Sequence, residues 1–106
     1  MIDYDLKTVQ SLCRSDSVQW SVHALKRMRE RKIKSYEVLN CIYNGEIIEE
    51  YPNDRPLPSC LIYGVVNTRN LHTVLSSDRI TVYIITAYEP DLTEWESNFK
   101  TRKEQL

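Results

Sequence analysis

The feature that most constrains the fold of this chain is a change in its hydrophobic pattern at Gly45. Before Gly45, apolar residues recur at the three- and four-residue spacing of amphipathic helices. After it, short runs rich in Val, Ile, Thr and Tyr are separated by polar turn segments, which is typical of strands. Runs of like elements indicate an α+β fold, with helices laid against one face of a single sheet.

Four helices are predicted from this pattern, three before Gly45 and one after the last strand. Ser21 and Ser35 have the side chains of N-cap residues and mark the starts of the second and third helices. The segment between the first two helices, residues 15–21, is predicted to contain no strand. The predicted helices span residues 3–14, 22–32, 36–44 and 91–100.

Four strands are predicted after Gly45, in a central antiparallel sheet with helices two and three against one face. The other face, or one end of it, is left open for a ligand. The loop at residues 52–58 contains three prolines, which cannot donate to a sheet ladder, so this loop is predicted to be irregular and exposed. The predicted strands span residues 46–51, 59–67, 71–77 and 79–89.

The length of 106 residues fits a single domain, residues 1–106, with room for a buried core. No window approaches the ~20 apolar residues that a transmembrane helix needs. The first ten residues carry two acids and lack the apolar region of a secretory signal. We therefore expect a cytoplasmic protein without membrane contact.

The cysteines indicate neither disulfides nor a metal site. Cys13, Cys41 and Cys60 are odd in number and form no C-x-x-C pair, so reduced thiols acting as small apolar residues are expected. A zinc site would need its ligands from these cysteines and two histidines without the usual close pairs, so no metal is expected. The chain contains no G-x-S-x-G, P-loop, G-x-G-x-x-G or H-E-x-x-H motif, and no cofactor is expected.

The net charge of −1 conceals an uneven distribution of charge. Residues 26–34 carry six cations and a single acid, and residues 100–103 carry three more cations. Acids collect instead at residues 46–54 and 89–96. Such a chain can attract a polyanion locally without being adhesive everywhere. A solvated helix face is the alternative explanation of the basic run.

His23, Arg27 and Arg31 lie four residues apart on the second predicted helix, and therefore on one side of it. They sit at the edge of its apolar stripe, where side chains reach across toward the sheet. This placement favours contact with phosphate, and salt bridges to the acids at residues 46–50 are the alternative. Lys26 of the same helix is a further RNA-binding candidate.

Three more candidates lie outside the helices. His72 is in mid-strand, where a hydrogen-bonded structural role is the alternative, and Tyr88 ends the last strand, where it can donate to a phosphate or stack on a base. Arg55, in the exposed loop, can clamp a ligand. Cleavage of RNA by its own 2′-hydroxyl needs a base, an acid and a cation on the phosphorane, which these residue types can supply. One groove is therefore expected to join His23, Arg27 and Arg31 to at least one of His72, Tyr88 and Arg55.

The motif H-A-x-x-R-M-x-x-R at residues 23–31, with LHTV at 71–74 and ITAYEPDLTEWESNFKTRK at 85–103, resembles an uncharacterised bacterial family with that signature. The family is similar to the toxin side of type II toxin–antitoxin pairs, which share the fold of RelE, MqsR and related ribonucleases. The resemblance covers residues 20–103 and implies a RelE/barnase-like fold, with residues 1–19 as an N-terminal helical elaboration. It also implies a cognate antitoxin, such as a zinc-finger or helix-turn-helix protein.

Two functional hypotheses follow. The first is a metal-independent endoribonuclease toxin that acts on messenger or ribosome-bound RNA. In it, His23, Arg27, His72 and Tyr88 are catalytic, and Lys26, Arg31 and Arg55 bind RNA. The second is a noncatalytic RNA- or protein-binding module that uses the basic helix. The slight net acidity favours the second hypothesis, and the alignment of His23 with two arginines favours the first.

Overall fold

The computed structural model describes residues 1–104, which form an α+β fold of three helices and a five-stranded mixed sheet. None of the helices within these residues is long and apolar enough to cross a membrane. The helices are α1 (Leu6–Arg14), α2 (Val22–Glu30) and α3 (Ser35–Asn44). The strands are β1 (Val18–Trp20), β2 (Glu46–Tyr51), β3 (Ser59–Val66), β4 (Arg69–Ser77) and β5 (Val82–Tyr88).

The sheet has the strand order β1-β5-β4-β3-β2. The four strands after Gly45 pair antiparallel, as expected. The prediction of a purely antiparallel four-stranded sheet is wrong, however, because β1 adds a fifth strand parallel to β5, with Val18 opposite Val82. Only three residues of β1 pair, in a segment rich in serine, so its local pattern resembles a loop. Its pairing depends on a strand more than sixty residues away.

The three helices pack on one side of the sheet and enclose the apolar core with alternate residues of the strands. Leu71 and Leu75 of β4 are fully buried there, together with Val38 and Ile42 of α3. The approach of α3 to the sheet is close enough to exclude side chains: a Cβ on Gly64 would lie 2.6 Å from the carbonyl oxygen of Cys41. The core therefore lies between the helices and what we call the helix face of the sheet.

Residues 91–100 form turns rather than the predicted helix, and this prediction is wrong. The side-chain oxygen of Asn98 accepts hydrogen bonds from the backbone N–H groups of Lys100 (2.9 Å) and Thr101 (3.1 Å). Such local bonds compete with a helical ladder. Phe99 has a positive φ of 59°, which is also incompatible with helix. The chain instead turns back so that Trp95 and Arg102 form an isolated antiparallel bridge.

The proline-rich loop at residues 52–58 is irregular and largely exposed, which confirms the prediction for it. Ser21 is the N-cap of α2, and its hydroxyl accepts from the N–H of Ala24 at 2.9 Å. At α3 the cap is one residue earlier than predicted: Lys34 occupies the N-cap position and Ser35 is the first helical residue.

Candidate functional site

The face of the sheet opposite the helices, here called the open face, carries the polar and aromatic side chains of the strands. His72, Val74 and Ser76 alternate with the buried leucines of β4 and so point away from the helices. Residues directly opposite one another in paired strands share a face. Tyr63 and Tyr88, both opposite His72, therefore belong to the open face as well.

One end of the open face is covered by residues 91–104, here called the C-terminal strap. Trp95 is the anchor of the strap, since only 2% of it is exposed and its ring stands perpendicular to that of His72 with centroids 4.5 Å apart. Phe99 stacks on Tyr63 at a centroid distance of 6.4 Å. The strap thus holds an aromatic cluster against the sheet without regular secondary structure of its own.

His72 is fully buried at the centre of this cluster, and both of its ring nitrogens have partners. Nε2 lies 2.7 Å from the carbonyl oxygen of Phe99 and must donate its proton there, because a carbonyl can only accept. Nδ1 is then the unprotonated nitrogen and accepts from the hydroxyl of Tyr88 at 3.3 Å. Burial lowers the pKa of His72 below its ordinary value, although the bond to Phe99 opposes this shift. His72 is therefore neutral near pH 7.

Tyr88 connects this buried histidine to the surface. Its side chain lines a pocket of about 330 Å³, here called the Tyr88 pocket. Burial raises the pKa of Tyr88, against the opposing effect of the Arg102 charge, so its hydroxyl is protonated at neutral pH. The other residues lining the pocket are Glu89, Asp91, Glu94, Trp95 and Arg102.

Arg102 of the strap is bound to Glu49 of β2 by a two-pronged ion pair, with Nε–Oε2 and Nη2–Oε1 distances of 2.9 and 3.1 Å. The hydroxyl of Tyr51 donates to the same carboxylate at 2.5 Å. Burial acts to raise the pKa of Glu49, but these hydrogen bonds outweigh it and leave the pKa lowered. The guanidinium also lies over the ring of Trp95, 4.5 Å from its centroid, while 52% of the Arg102 side chain remains exposed.

Arg31, the C-cap residue of α2, reaches the free edge of β5 beyond the short strand β1. Its Nη1 donates to Thr86 Oγ1 and to the carbonyl oxygen of Ala87, both at 3.0 Å. Its charge acts to lower the pKa of Tyr88, two residues further along the strand. The charges of two arginines from distant parts of the chain, Arg31 and Arg102, therefore act on Tyr88, and of the two Arg102 lines the Tyr88 pocket.

The comparisons with known proteins identify a family for this segment. A family model described as "Domain of unknown function (DUF4258)" matches residues 20–89. The chain belongs to this family. The DUF4258 segment runs from Trp20, the last residue of β1, through β5 and includes Arg31, His72 and Tyr88, whereas α1 and the C-terminal strap lie outside it. No curated protein and no solved structure matches the chain.

The prediction of one groove joining His23, Arg27 and Arg31 to at least one of His72, Tyr88 and Arg55 is wrong for His23 and Arg27. His72 is buried on the open face, whereas α2 packs Ala24 and Met28 into the core on the helix face. His23 is exposed, and Arg27 pairs with Glu30 of its own helix at 3.1 Å. Among residues 1–104, neither forms a hydrogen bond or ion pair with His72 or Tyr88.

The other predicted candidates lie apart from this pocket. Lys26 is exposed on α2, and Arg55 lies in the proline-rich loop. The acids of β2, proposed as alternative partners for the α2 arginines, instead bind the strap: Glu49 pairs with Arg102, and Glu46 pairs with Lys100 at 3.1 Å. The salt-bridge alternative for the basic helix is therefore wrong for these acids.

Sequence reasoning missed the roles of Glu49, Trp95 and Arg102 at the site. Arg102 was visible only as one of several terminal cations, and Trp95 only as an apolar position of a supposed helix. No signal in the sequence links Arg102 to Glu49, because the two residues are 53 positions apart in the chain and no local motif connects them.

The three cysteines are all buried, and burial raises the pKa of each thiol to about 11. They are therefore protonated and unreactive near neutral pH. Within the part of the chain that the structure describes, no group of three or more His, Cys, Asp or Glu side chains is placed to hold a metal ion.

Proposed function

We propose that this protein is a metal-independent endoribonuclease, the toxin of a type II toxin–antitoxin pair with a RelE/barnase-like fold. The observation that carries the proposal is Tyr88, whose hydroxyl is held by a neutral, buried His72 and whose side chain lines a surface pocket together with Arg102. Arg31 binds the same strand nearby, at Thr86 and Ala87. A buried histidine in a purely structural role does not need a protonated tyrosine at the surface as its partner. In an acid–base site, that arrangement fixes the position of the phenol oxygen, and the hydroxyl proton turns from Nδ1 of His72 toward the leaving group when substrate is bound.

Tyr88 is the general acid of the proposed reaction. Its raised pKa keeps the proton on the hydroxyl at neutral pH, where it can be given to the 5′-oxygen that leaves. His72 is a positioning residue, because its Nδ1 holds the hydroxyl in place while the ring itself is closed off from solvent. Arg31 and Arg102 stabilise the phosphorane, whose added negative charge suits guanidinium groups.

Glu94 is the proposed base. It lines the Tyr88 pocket, and its carboxylate forms no hydrogen bond with residues 1–104. Glu94 takes the proton of the 2′-hydroxyl as the 2′-oxygen forms its bond to phosphorus. The bond from phosphorus to the 5′-oxygen breaks, and that oxygen receives the proton of Tyr88. The products are a 2′,3′-cyclic phosphate and a 5′-hydroxyl, and water returns the proton from Glu94 to Tyr88.

The proposal places the protein in the cytoplasm, with messenger or ribosome-bound RNA as substrate and a zinc-finger or helix-turn-helix antitoxin as its partner. Lys26, Arg27 and His23 lie on the outer side of α2 and contribute there to attracting the polyanion. The sequence predicted a phosphate contact for Arg27. We assign this contact instead to Arg31, which lies one turn later on the same side of the helix.

The test is cleavage of a labelled RNA by the purified protein in EDTA. Tyr88→Phe should lower the rate about 100- to 1000-fold, in the range of a lost general acid. Tyr36→Phe, at an exposed tyrosine of α3, is the matched control and should cleave normally. Arg31→Ala should reduce cleavage far more than Arg27→Ala. A 2′-deoxy sugar at the cleaved position should block the reaction, since the nucleophile is then missing.

The second candidate function is a noncatalytic module that binds a polyanion or an acidic protein through the basic segment. It is favoured by Lys26, Arg29, Lys32 and Lys34, which take part in no ion pair among residues 1–104. Binding of RNA without cleavage, unaffected by Tyr88→Phe but weakened by charge reversal at Arg29 and Lys32, would establish this function and overturn the ribonuclease proposal.

A further inference from the structure

We infer that the open face holds a second subsite for the same RNA strand, an apolar hollow at the far end of β5 that takes one unstacked nucleobase. This inference rests on the proposed function, since it supposes RNA as the ligand. The hollow has a volume of about 610 Å³. It is lined by Asp54, Arg55, Pro56, Leu57, Ser76, Tyr83 and Ile85.

The hollow and the Tyr88 pocket lie on the same face of the sheet. Ser76 lies opposite Tyr83, and His72 lies opposite Tyr88. Because His72 and Ser76 are four residues apart on an unbroken stretch of β4, their side chains point the same way. The C-terminal strap supplies none of the residues that line the hollow. One strand of RNA can therefore contact both places without crossing the sheet.

A β-bulge shapes the hollow. Leu75 pairs with Ile84 and Val74 with Thr86, so Ile85 is an extra residue without a partner on β4. Its side chain is 41% exposed and lies beside Tyr83 in the lining. The bulge thus adds an exposed aliphatic side chain next to an aromatic ring, which together form a platform for a flat apolar ligand.

Arginines follow the course between the two places, and their charges suit a phosphodiester backbone. The acids near the hollow already accept hydrogen bonds, Asp54 from Ser59 and Asp78 from Tyr83. Arg55 stands at the hollow and, within residues 1–104, donates only to the backbone carbonyl oxygens of Asn53 (3.4 Å) and Asp54 (3.2 Å). Arg31 lies between the hollow and Tyr88, bound to Thr86. Neither arginine takes part in an ion pair among residues 1–104. Arg55, Arg31 and Arg102 therefore follow the course of β5, with an aromatic residue near each end.

The spacing fits a short stretch of single strand. The four-residue step from His72 to Ser76 spans about 13 Å at roughly 3.3 Å per residue. A stacked strand advances roughly 3.4 Å per nucleotide, so about four nucleotides bridge the two places, and fewer when the strand is extended. Proteins bind single-stranded nucleic acid with cations that contact the backbone and with aromatic side chains on which the bases stack. An acidic peptide would satisfy the arginines but would leave the flat platform without a matching ring.

The test measures binding of 2′-O-methyl RNA oligonucleotides, which cannot be cleaved, in a series from two to eight nucleotides. In the wild-type protein, affinity should rise stepwise once the oligonucleotide reaches about four nucleotides. Tyr83→Leu should abolish this step and weaken binding of the longer oligonucleotides about 10-fold, the effect of one lost stacking contact. Tyr36→Leu, at an exposed tyrosine on the helix side, is the matched control. Circular dichroism checks that the variants are folded.

Arg55→Gln provides a second measurement in a loop where substitution does not threaten the fold. It should reduce the slope of log affinity against log salt by about one. If the wild-type protein cleaves RNA but both variants bind and cleave normally, the subsite is overturned and the ribonuclease proposal stands. If the length step and its loss in Tyr83→Leu are seen without any cleavage, the ribonuclease proposal fails and the subsite stands. If no oligonucleotide binds, the subsite is overturned, and the hollow is then better explained as a contact site for a protein.

Discussion

The two faces of the sheet are built by different means. The helix face is apolar and is covered by three regular helices, whose buried residues repeat at helical spacing. The open face is aromatic and polar, and part of it is covered by a strap of turns held by one buried tryptophan and two ion pairs. Covering a sheet thus requires either periodic apolar contacts or a few specific polar ones. The candidate site lies on the face that uses the latter.

The largest expected effect tests the helix face. Leu71→Ala removes a fully buried side chain from the core and should lower the free energy of unfolding by about 2–5 kcal/mol. Leu92→Ala, at a leucine of the strap that is 51% exposed, should change it by less than about 0.5 kcal/mol. Urea unfolding measures both. Equal losses from the two variants would show that the faces are not built differently.

A smaller effect is expected at the strap. Glu49→Gln weakens the two-pronged pair with Arg102, which is worth about 1 kcal/mol at a half-exposed position. Local opening should then expose amides of residues 91–104 about five times more often, without a comparable loss at α3. Hydrogen exchange followed by mass spectrometry measures this difference. Glu46→Gln, at the more exposed pair with Lys100, is the control and should have little effect.

The smallest effect is a dependence on pH. Burial lowers the pKa of His72 in the folded protein below 6.5, its ordinary value in an unfolded chain. Between the pKa of the folded state and that of the unfolded state, the unfolded chain therefore binds more protons than the folded one. Stability is therefore full above about pH 6.5 and falls as the pH drops below it. The slope should be less than ~1.4 kcal/mol per pH unit, the value for one whole proton. His72→Gln should flatten the slope, whereas His23→Gln, at the exposed histidine, should retain it.

The sequence predicts the helix face well, because the information for it is local. Val38 and Ile42 repeat at helical spacing, and Ser21 caps α2 with its own side chain. Asn67 and Thr68, which join β3 to β4, both adopt positive φ values, as tight two-residue turns require. Each of these features depends on residues within one turn or one hairpin.

The open face could be predicted only in part. His72 and Tyr88 were selected by residue type and lie in hydrogen-bond contact. Their cover could not be inferred, because the sequence of residues 91–100 has apolar spacing that fits a helix. The side chain of Asn98 and the long-range pair of Arg102 with Glu49 decide against it. β1 was missed because its three residues are too few to show a strand pattern, and only the pairing with the distant β5 makes them a strand.

The parallel pairing of β1 with β5 sets an order of events during protein synthesis. Val18 and Val82 are separated by 64 residues, so at roughly 5–20 residues per second β1 must wait about 3–13 s for its partner to be made. The hairpin of β3 and β4 closes earlier, since its strands are adjacent in the chain. Arg31 also meets its acceptors on β5 only at that late stage. A nascent chain therefore lacks the complete proposed site until β5 and the C-terminal strap have both been made.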